Sequence, residues 1–377
     1  VLSLKELTID GTKLEANANR YTFVWGGSIK TSRERIARQL KELWEYVENV
    51  YRDDESQPRM TRMKEVSPEA VERAIGEINK ALEDKNVDPK VTQKLTYAKK
   101  NWPKKLAEYD AQEQIMKGRN SYSKTDPDAT FMRMKEDRMK NGQLKPGYNL
   151  QASTSGHYIV DYTLGQNPAD TTLLAAHLES HAANYGTMPE SITADAGYGS
   201  AENYGYLEEK GVVGYVKYNS FDKEQNDRKY QTNPFIVDNL HYNEERDAYY
   251  CPMGQEMKFT GTGRQPTASG QVQELRFYKA VNCERCPMRG PCHKAAGERL
   301  IQRNQSVIKY RKQARERLTS EEGIRRLTER WKVEAVFGNI KHNHSFKRYM
   351  LRGLDKVTTE TGLLALAHNL RRYATNH

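Results

Sequence analysis

The stretch LTIDGTKLEA, residues 7–16, sets the reading of this chain. Leu7 and Ile9 point one way and Thr8, Asp10 and Thr12 the other, the two-residue period of a β-strand. A carboxylate therefore stands in mid-strand, at Asp10. A second strand, in SITADAGYGS (residues 191–200), ends on Asp195, where glycines let the backbone turn and leave the side chain accessible. A third acid, Glu334, falls in ERWKVEAVFGNIK (residues 329–341). At about 100° per residue, Arg330, Glu334 and Lys341 share one narrow stripe of a helix. Beside it runs an apolar arc of Val333, Val336, Phe337 and Ile340. Taken alone, Arg330 and Glu334 are an i,i+4 pair on a solvated face. Taken with Asp10 and Asp195, Glu334 is the last of three hard oxygen donors. They converge if the two strands are neighbours in one sheet and the helix packs across its edge. Such donors suit one or two Mg2+ ions, and two ions about 3.5–4 Å apart stabilise the attacking and leaving oxygens of phosphoryl transfer.

The chain has 377 residues, 29% of them charged, and a formal net charge of +10. Placement matters more than size. Residues 294–377 hold 19 Lys and Arg against 8 Asp and Glu, whereas residues 1–293 hold 41 against 42. A basic field concentrated around Glu334 suits a polyanion, with DNA as the first candidate. No apolar run approaches the ~18 residues needed to span a bilayer and no signal-peptide pattern is present, so a cytoplasmic protein without a membrane partner is expected. No Walker loop and no G-x-S-x-G elbow occur, which excludes a P-loop NTPase and a serine hydrolase of that type.

Between the first two strands the spacing predicts helices over roughly residues 31–118. Thr31 with Glu34 reads as a capping box, and Ser67 with Pro68 as a helix start. GYNLQAST (147–154) and HYIVDYTLG (157–165) read as a hairpin. Asp170 reads as the cap of a following helix, and VVGYVKY (212–218) as a further strand. Residues 219–294 are polar, contain glycines and read as irregular. All four cysteines lie there: Cys251, then Cys283, Cys286 and Cys292 in CERCPMRGPC. That spacing suits a closed four-thiolate Zn2+ site with a structural role, in which His293 or His241 is able to replace one sulfur. The alternative is free thiols or a disulfide, and a cytosolic setting disfavours the latter.

Three passages together resemble a known family. TIDGTKLEANANRYTFVW, TADAGYGSAENYGYLEEKG and RWKVEAVFGNIKHNHSFKRY are similar to the DDE-type transposases of bacterial insertion sequences. The last matches that family's Y-x2-R-x3-E-x6-K signature at Arg330, Glu334 and Lys341, with Leu327 in place of the tyrosine. The resemblance implies a ribonuclease-H-like α/β fold, a mixed five-stranded sheet flanked by helices, with a helical insertion and a small zinc-ribbon-like insertion. The expected division is residues 1–30 for the first core strand, 31–118 for the helical insertion and 119–218 for the remaining core strands. Residues 219–294 would form the cysteine-rich insertion and 295–377 the helices that carry Glu334. The resemblance further implies catalysis by Asp10, Asp195 and Glu334 with two Mg2+ or Mn2+ ions, cleavage at transposon ends, and attack of the freed 3′-hydroxyl on target DNA. Arg330 and Lys341 would hold DNA phosphate or a displaced base. A homodimer is expected in the active complex, in a bacterial, nucleoid-associated setting. Asp126 and Asp128, in SKTDPDATFM, are rivals to Asp10 as the first acid. Two other functions remain open: a nuclease of the same fold, and a non-enzymatic DNA-binding protein derived from a transposase. Because the chain runs almost at once into the Asp10 strand, a further upstream region that reads transposon ends is also expected.

Overall fold

The computed structural model describes residues 4–51, 66–134, 142–267 and 269–376. Part of the expected helical stretch, residues 52–65, lies outside them. Strand β1 (Glu6–Glu15) is followed by β2 (Phe23–Trp25) and helices α1 (Gly26–Val50), α2 (Pro68–Ala81) and α3 (Pro89–Met116). Strands β3 (Ser121–Ser123), β4 (Thr130–Arg133), β5 (Leu144–Ser155) and β6 (Tyr158–Gly165) come next. Then α4 (Leu174–Tyr185), β7 (Ser191–Ala194), α5 (Ala201–Glu209) and β8 (Val213–Val216) alternate. The former "irregular" stretch holds α6 (Phe221–Asn226), α7 (Arg228–Gln231), β9 (His241–Asn243), β10 (Ala248–Tyr250), β11 (Glu256–Pro266), β12 (Val272–Lys279) and α8 (Arg289–Cys292). After β13 (Leu300–Arg303) the chain is helical: α9 (Gln305–Leu318), α10 (Glu321–Glu329), α11 (Trp331–Gly338) and α12 (Leu354–Asn376).

Two compact units result. One comprises Val1–Thr12, Asn149–Lys347 and Thr358–His377, the other Lys13–Tyr148 and Arg348–Val357. In the first, β6, β5, β1, β7 and β8 lie side by side. β1 and β7 run parallel, as do β7 and β8, while β5 and β6 form the expected antiparallel hairpin. This is a mixed α/β sheet flanked by helices. Leu7, Ile9, Ile192 and Val216 share a core with Leu174 and Leu178 of α4, Leu207 of α5 and Leu318 of α9. Both sides of β1 are covered: Thr12 and Asp10 are as buried as Ile9, which makes β1 a central strand rather than a half-wet one.

Residues 219–294 are not irregular. The order β13-β12-β11-β10-β9 is an antiparallel sheet closed on a small core of Leu240, Tyr249, Met257, Tyr278 and Ile301. Its aromatic rings do the packing that aliphatic residues do elsewhere, with Tyr249 and Tyr278 edge-on at 4.9 Å. The short runs between turns hid that alternation.

In the second unit α1, α2 and α3 pack through Leu40, Leu43, Val47, Ile75, Ile78 and Leu106. Ser67 caps α2 by accepting from Ala70 N at 3.1 Å, as expected. The Thr31 capping box does not form. β2 passes straight into α1 at Gly26, whose N–H donates to Asn120 O, and Thr31 instead donates to Gly27 O inside the helix. β4 adds a sixth strand, pairing with the start of β5, Thr130 opposite Gly147. Among the described residues, no helix is long and apolar enough to cross a membrane.

One buried group ties α4 to the hairpin. His177 is fully buried, with Ser153 Oγ 2.6 Å from Nε2 and Thr163 Oγ1 2.9 Å from Nδ1. Burial pushes its pKa down to about 3, and the nearby His181 adds to the effect. An unfolded histidine titrates near 6.5, so from about pH 6.5 downward the unfolded chain binds a proton that the native imidazole refuses. Stability then falls by up to roughly 1.4 kcal/mol per pH unit. His177→Gln should therefore show a shallower fall in melting temperature between pH 6.5 and 5 than the unsubstituted protein. Parallel curves would contradict this.

Candidate active site

The β1–β7 register sets the site. Ile9 pairs with Ala194, so Asp10 and Asp195 are the next residues along two adjacent parallel strands, whose spacing is about 4.8 Å. Asp10 is only 4% exposed, and its Oδ1 accepts from Gly11 N at 2.8 Å. Asp195 is extended and caps a one-turn 3-10 helix, its Oδ1 accepting from Gly197 N at 2.8 Å. Each acid is thus oriented by the glycine-containing backbone that follows it.

Glu334 lies on α11, whose Val333, Val336 and Phe337 are buried as the apolar arc required. The i,i+4 pair with Arg330 is formed, Nη2 to Oε1 at 2.5 Å. The same guanidinium does more than decorate a solvated face, because its Nη1 stands 3.9 Å from Asp10 Oδ2. Arg330 thereby links the helix acid to the strand acid. Lys341 lies where the helix changes character. Residues Asn339–Asn343 form a π turn, which breaks the regular 100° step, and Lys341 is 6% exposed. Leu327, where the signature has tyrosine, packs against the core of the sheet.

Sequence reasoning missed Asp170. It does not cap a helix. It lies in its own 3-10 turn, and its Oδ1 accepts from Asn149 Nδ2 at 2.6 Å and Gln151 Nε2 at 3.0 Å. A Cβ on Gly11 would meet Asp170 Oδ1 and Gln151 Nε2 at 2.6 Å each. One on Gly197 would meet Asp195 Oδ1 at 2.9 Å and Asp170 Oδ2 at 3.4 Å. A fourth carboxylate thus sits beside the glycines that adjoin both strand acids. The only sequence trace of it is a glycine close behind each acid. Buried Tyr198 donates to Gln151 Oε1. Burial, reinforced by the charges of Asp170, Asp10 and Asp195, holds its pKa well above the usual value, against the pull of Arg330.

The rival acids have structural partners in the second unit. Asp126 is buried and accepts from Tyr148 OH at 2.9 Å and Gly353 N at 3.2 Å. Burial raises its pKa. Asp128 Oδ2 accepts from Leu354 N at 2.9 Å, at the start of α12.

Cys251, Cys283, Cys286, Cys292 and His293 line one cavity of about 20 Å3, room for a single water-sized body. None of the four is in a disulfide. Cys286 N donates to Cys283 O, closing the C-x2-C turn, and Arg299 Nη1 donates to Cys292 Sγ at 3.1 Å. Both His293 ring nitrogens are buried without a hydrogen bond, whereas His241 stacks near Tyr250 on β9.

Donor chemistry and donor placement differ here. The carboxylates are hard donors of the kind Mg2+ takes, and thiolates suit Zn2+. Yet among the described residues no three His, Cys, Asp or Glu side chains are grouped so as to hold a metal ion. At the acidic end a guanidinium, rather than a shared oxygen cage, joins Glu334 to Asp10.

A mixed sheet with acids on two adjacent parallel strands and a third on a late helix is consistent with a ribonuclease-H-like phosphoryl-transfer domain. Residues 250–374, which include Arg330, Glu334, Lys341 and all four cysteines, match a family model described as a transposase DDE domain. That segment is therefore similar to a DDE-type transposase domain. No curated protein matches it.

Gly11→Ala tests the crowding around Asp170. Overpacking of this kind costs about 1–3 kcal/mol, so the variant's thermal midpoint should drop, and Asp170→Ala added to it should recover part of the loss. An unchanged midpoint for Gly11→Ala would show that Asp170 does not stand there.

Proposed function

We propose that the protein is a DNA transposase that cleaves at transposon ends and joins the freed 3′-hydroxyl to target DNA. Asp10, Asp195 and Glu334 are its metal-binding acids. The observation that carries this reading is the double reach of Arg330, to Glu334 at 2.5 Å and to Asp10 at 3.9 Å, while Asp195 follows the register beside Asp10. The three acids of the motif thus belong to one neighbourhood. Mg2+ or Mn2+, bound by them, would lower the pKa of the attacking water or hydroxyl and offset the charge that builds on phosphate. The protein's own part is orientation. Gly11 N and Gly197 N each hold one oxygen of their acid. Glu334, 55% exposed, is free to turn once Arg330 releases it. Arg330 then has DNA phosphate as its alternative partner, and exchange of a carboxylate for a phosphodiester suits its planar fork. The basic segment 294–377 supplies the surrounding field. Lys341, being buried, positions the π turn more readily than it reaches a distant phosphate.

Asp10→Asn, Asp195→Asn and Glu334→Gln should each abolish metal-dependent strand cleavage and leave DNA affinity equal or higher, since each removes a ligand and a negative charge. A variant that still cuts removes its residue from the set. A second reading, a DNA-binding protein that no longer cuts, is favoured by the Arg330–Glu334 ion pair. DNA binding without metal-dependent nicking in the unsubstituted protein would establish it over the first.

We also infer that the cysteines hold one structural Zn2+. The shared cavity, the four free thiols and the His293 ring nitrogens without a hydrogen bond support this. Elemental analysis of freshly purified, reduced protein should give about one zinc per chain. Folded protein free of zinc would refute the assignment.

A further inference from the structure

Helix α11 has a second face. Trp331 and Ala335 follow Arg330 and Glu334 by one residue, so they point about 100° away from the acids. They line a cavity of about 500 Å3, within the roughly 300–1,000 Å3 range of small-ligand sites. Its other walls come from the β5–β6 turn, at His157, and from α12, at His368, Arg371 and Arg372. No Asp or Glu lines it.

The lining is ordered for an anion. His368 is fixed at both ring nitrogens, by Asn339 at 3.2 Å and by His157 O at 3.0 Å. Arg371 Nη1 donates to His344 Nδ1 at 3.0 Å. Arg372 Nε is buried and makes no hydrogen bond. The histidines respond to the cationic field: burial lowers the pKa of His157 and of His344, and Arg372 and Arg371 respectively lower them further. Beside these cations stands a large ring. Trp331 is 55% exposed, although Val333 and Val336 on the same helix are fully buried, and His157 stands edge-on to it at 5.4 Å.

An aromatic face next to paired guanidinium groups is the chemistry that recognises a base carrying a phosphate. We propose that this cavity binds a single nucleotide, its base against Trp331 and its phosphate between Arg371 and Arg372. The nucleotide is either an unpaired residue of a DNA strand or a free mononucleotide, since the recognition chemistry is the same. A stacked base pair has no exposed face to offer Trp331, so duplex DNA does not enter. The inference goes beyond the cleavage reading and does not depend on it.

The test uses the full chain and four probes: dTMP, a ten-residue thymidine oligonucleotide, a duplex of equal length and inorganic phosphate. Binding is followed by tryptophan fluorescence and by calorimetry. At least one of dTMP and the oligonucleotide should bind saturably and quench part of the fluorescence. Preference for dTMP assigns a mononucleotide site, and preference for the oligonucleotide a strand site. Base stacking is worth about 1–3 kcal/mol, so Trp331→Leu should weaken that binding at least about fivefold. Arg371→Gln with Arg372→Gln should weaken it by a similar factor or more. Thermal melting shows whether each variant is folded, and Trp331→Phe, which keeps a ring, should restore most of the affinity. The proposal falls if neither nucleotide probe binds, or if folded variants bind within twofold of the unsubstituted protein. It falls equally if phosphate competes as well as dTMP, or if duplex binding depends on the same residues.

Discussion

The acidic end of the sheet depends on the parallel pairing of β1 with β7. Ile9 opposite Ala194 makes Asp10 and Asp195 neighbours, though 184 positions separate them in the chain. A slip of one residue would turn one of the two acids to the opposite face of the sheet. Register is held because Leu7, Ile9 and Ile192 must all reach one core with α4, α5 and α9. Core packing thus fixes where the two strand acids stand, and the glycines at 11 and 197 leave room for Asp170 beside them.

Placing several carboxylates together requires a counter-charge, because a buried, unpaired charge is costly. Here Arg330 supplies it. Its guanidinium sits at the junction of α10 and α11 and reaches Glu334 and Asp10 together. That contact offsets the charge of the two acids. In the proposed reaction, DNA phosphate would offer Arg330 a new partner and leave the carboxylates to cations. The ion pair that looks like a bland surface feature is therefore also the element whose exchange the proposed chemistry requires.

How much of this was legible in the sequence follows from which interactions are local. Asp10 and Asp195 could be read because strand alternation and a glycine turn announce them within a few residues. The buried arc of α11 followed from helical spacing. Asp170 could not be read: its partners, Asn149 and Gln151, lie on another strand, and its surroundings look like those of a helix cap. The π turn around Lys341 could not be read either, since a fixed 100° step does not anticipate it. The tyrosine-rich sheet of residues 241–303 was hidden because its strands β9, β10 and β13 are only three or four residues long.

The central claim is that Asp10, Asp195 and Glu334 share metal ions. A crystal structure of the protein soaked in Mn2+, with anomalous scattering to locate the ions, addresses it most directly. The account predicts manganese bound by all three carboxylates, with the Arg330 guanidinium withdrawn from Glu334. Crystals that bind manganese elsewhere or not at all, with the Arg330–Glu334 pair intact, would contradict it.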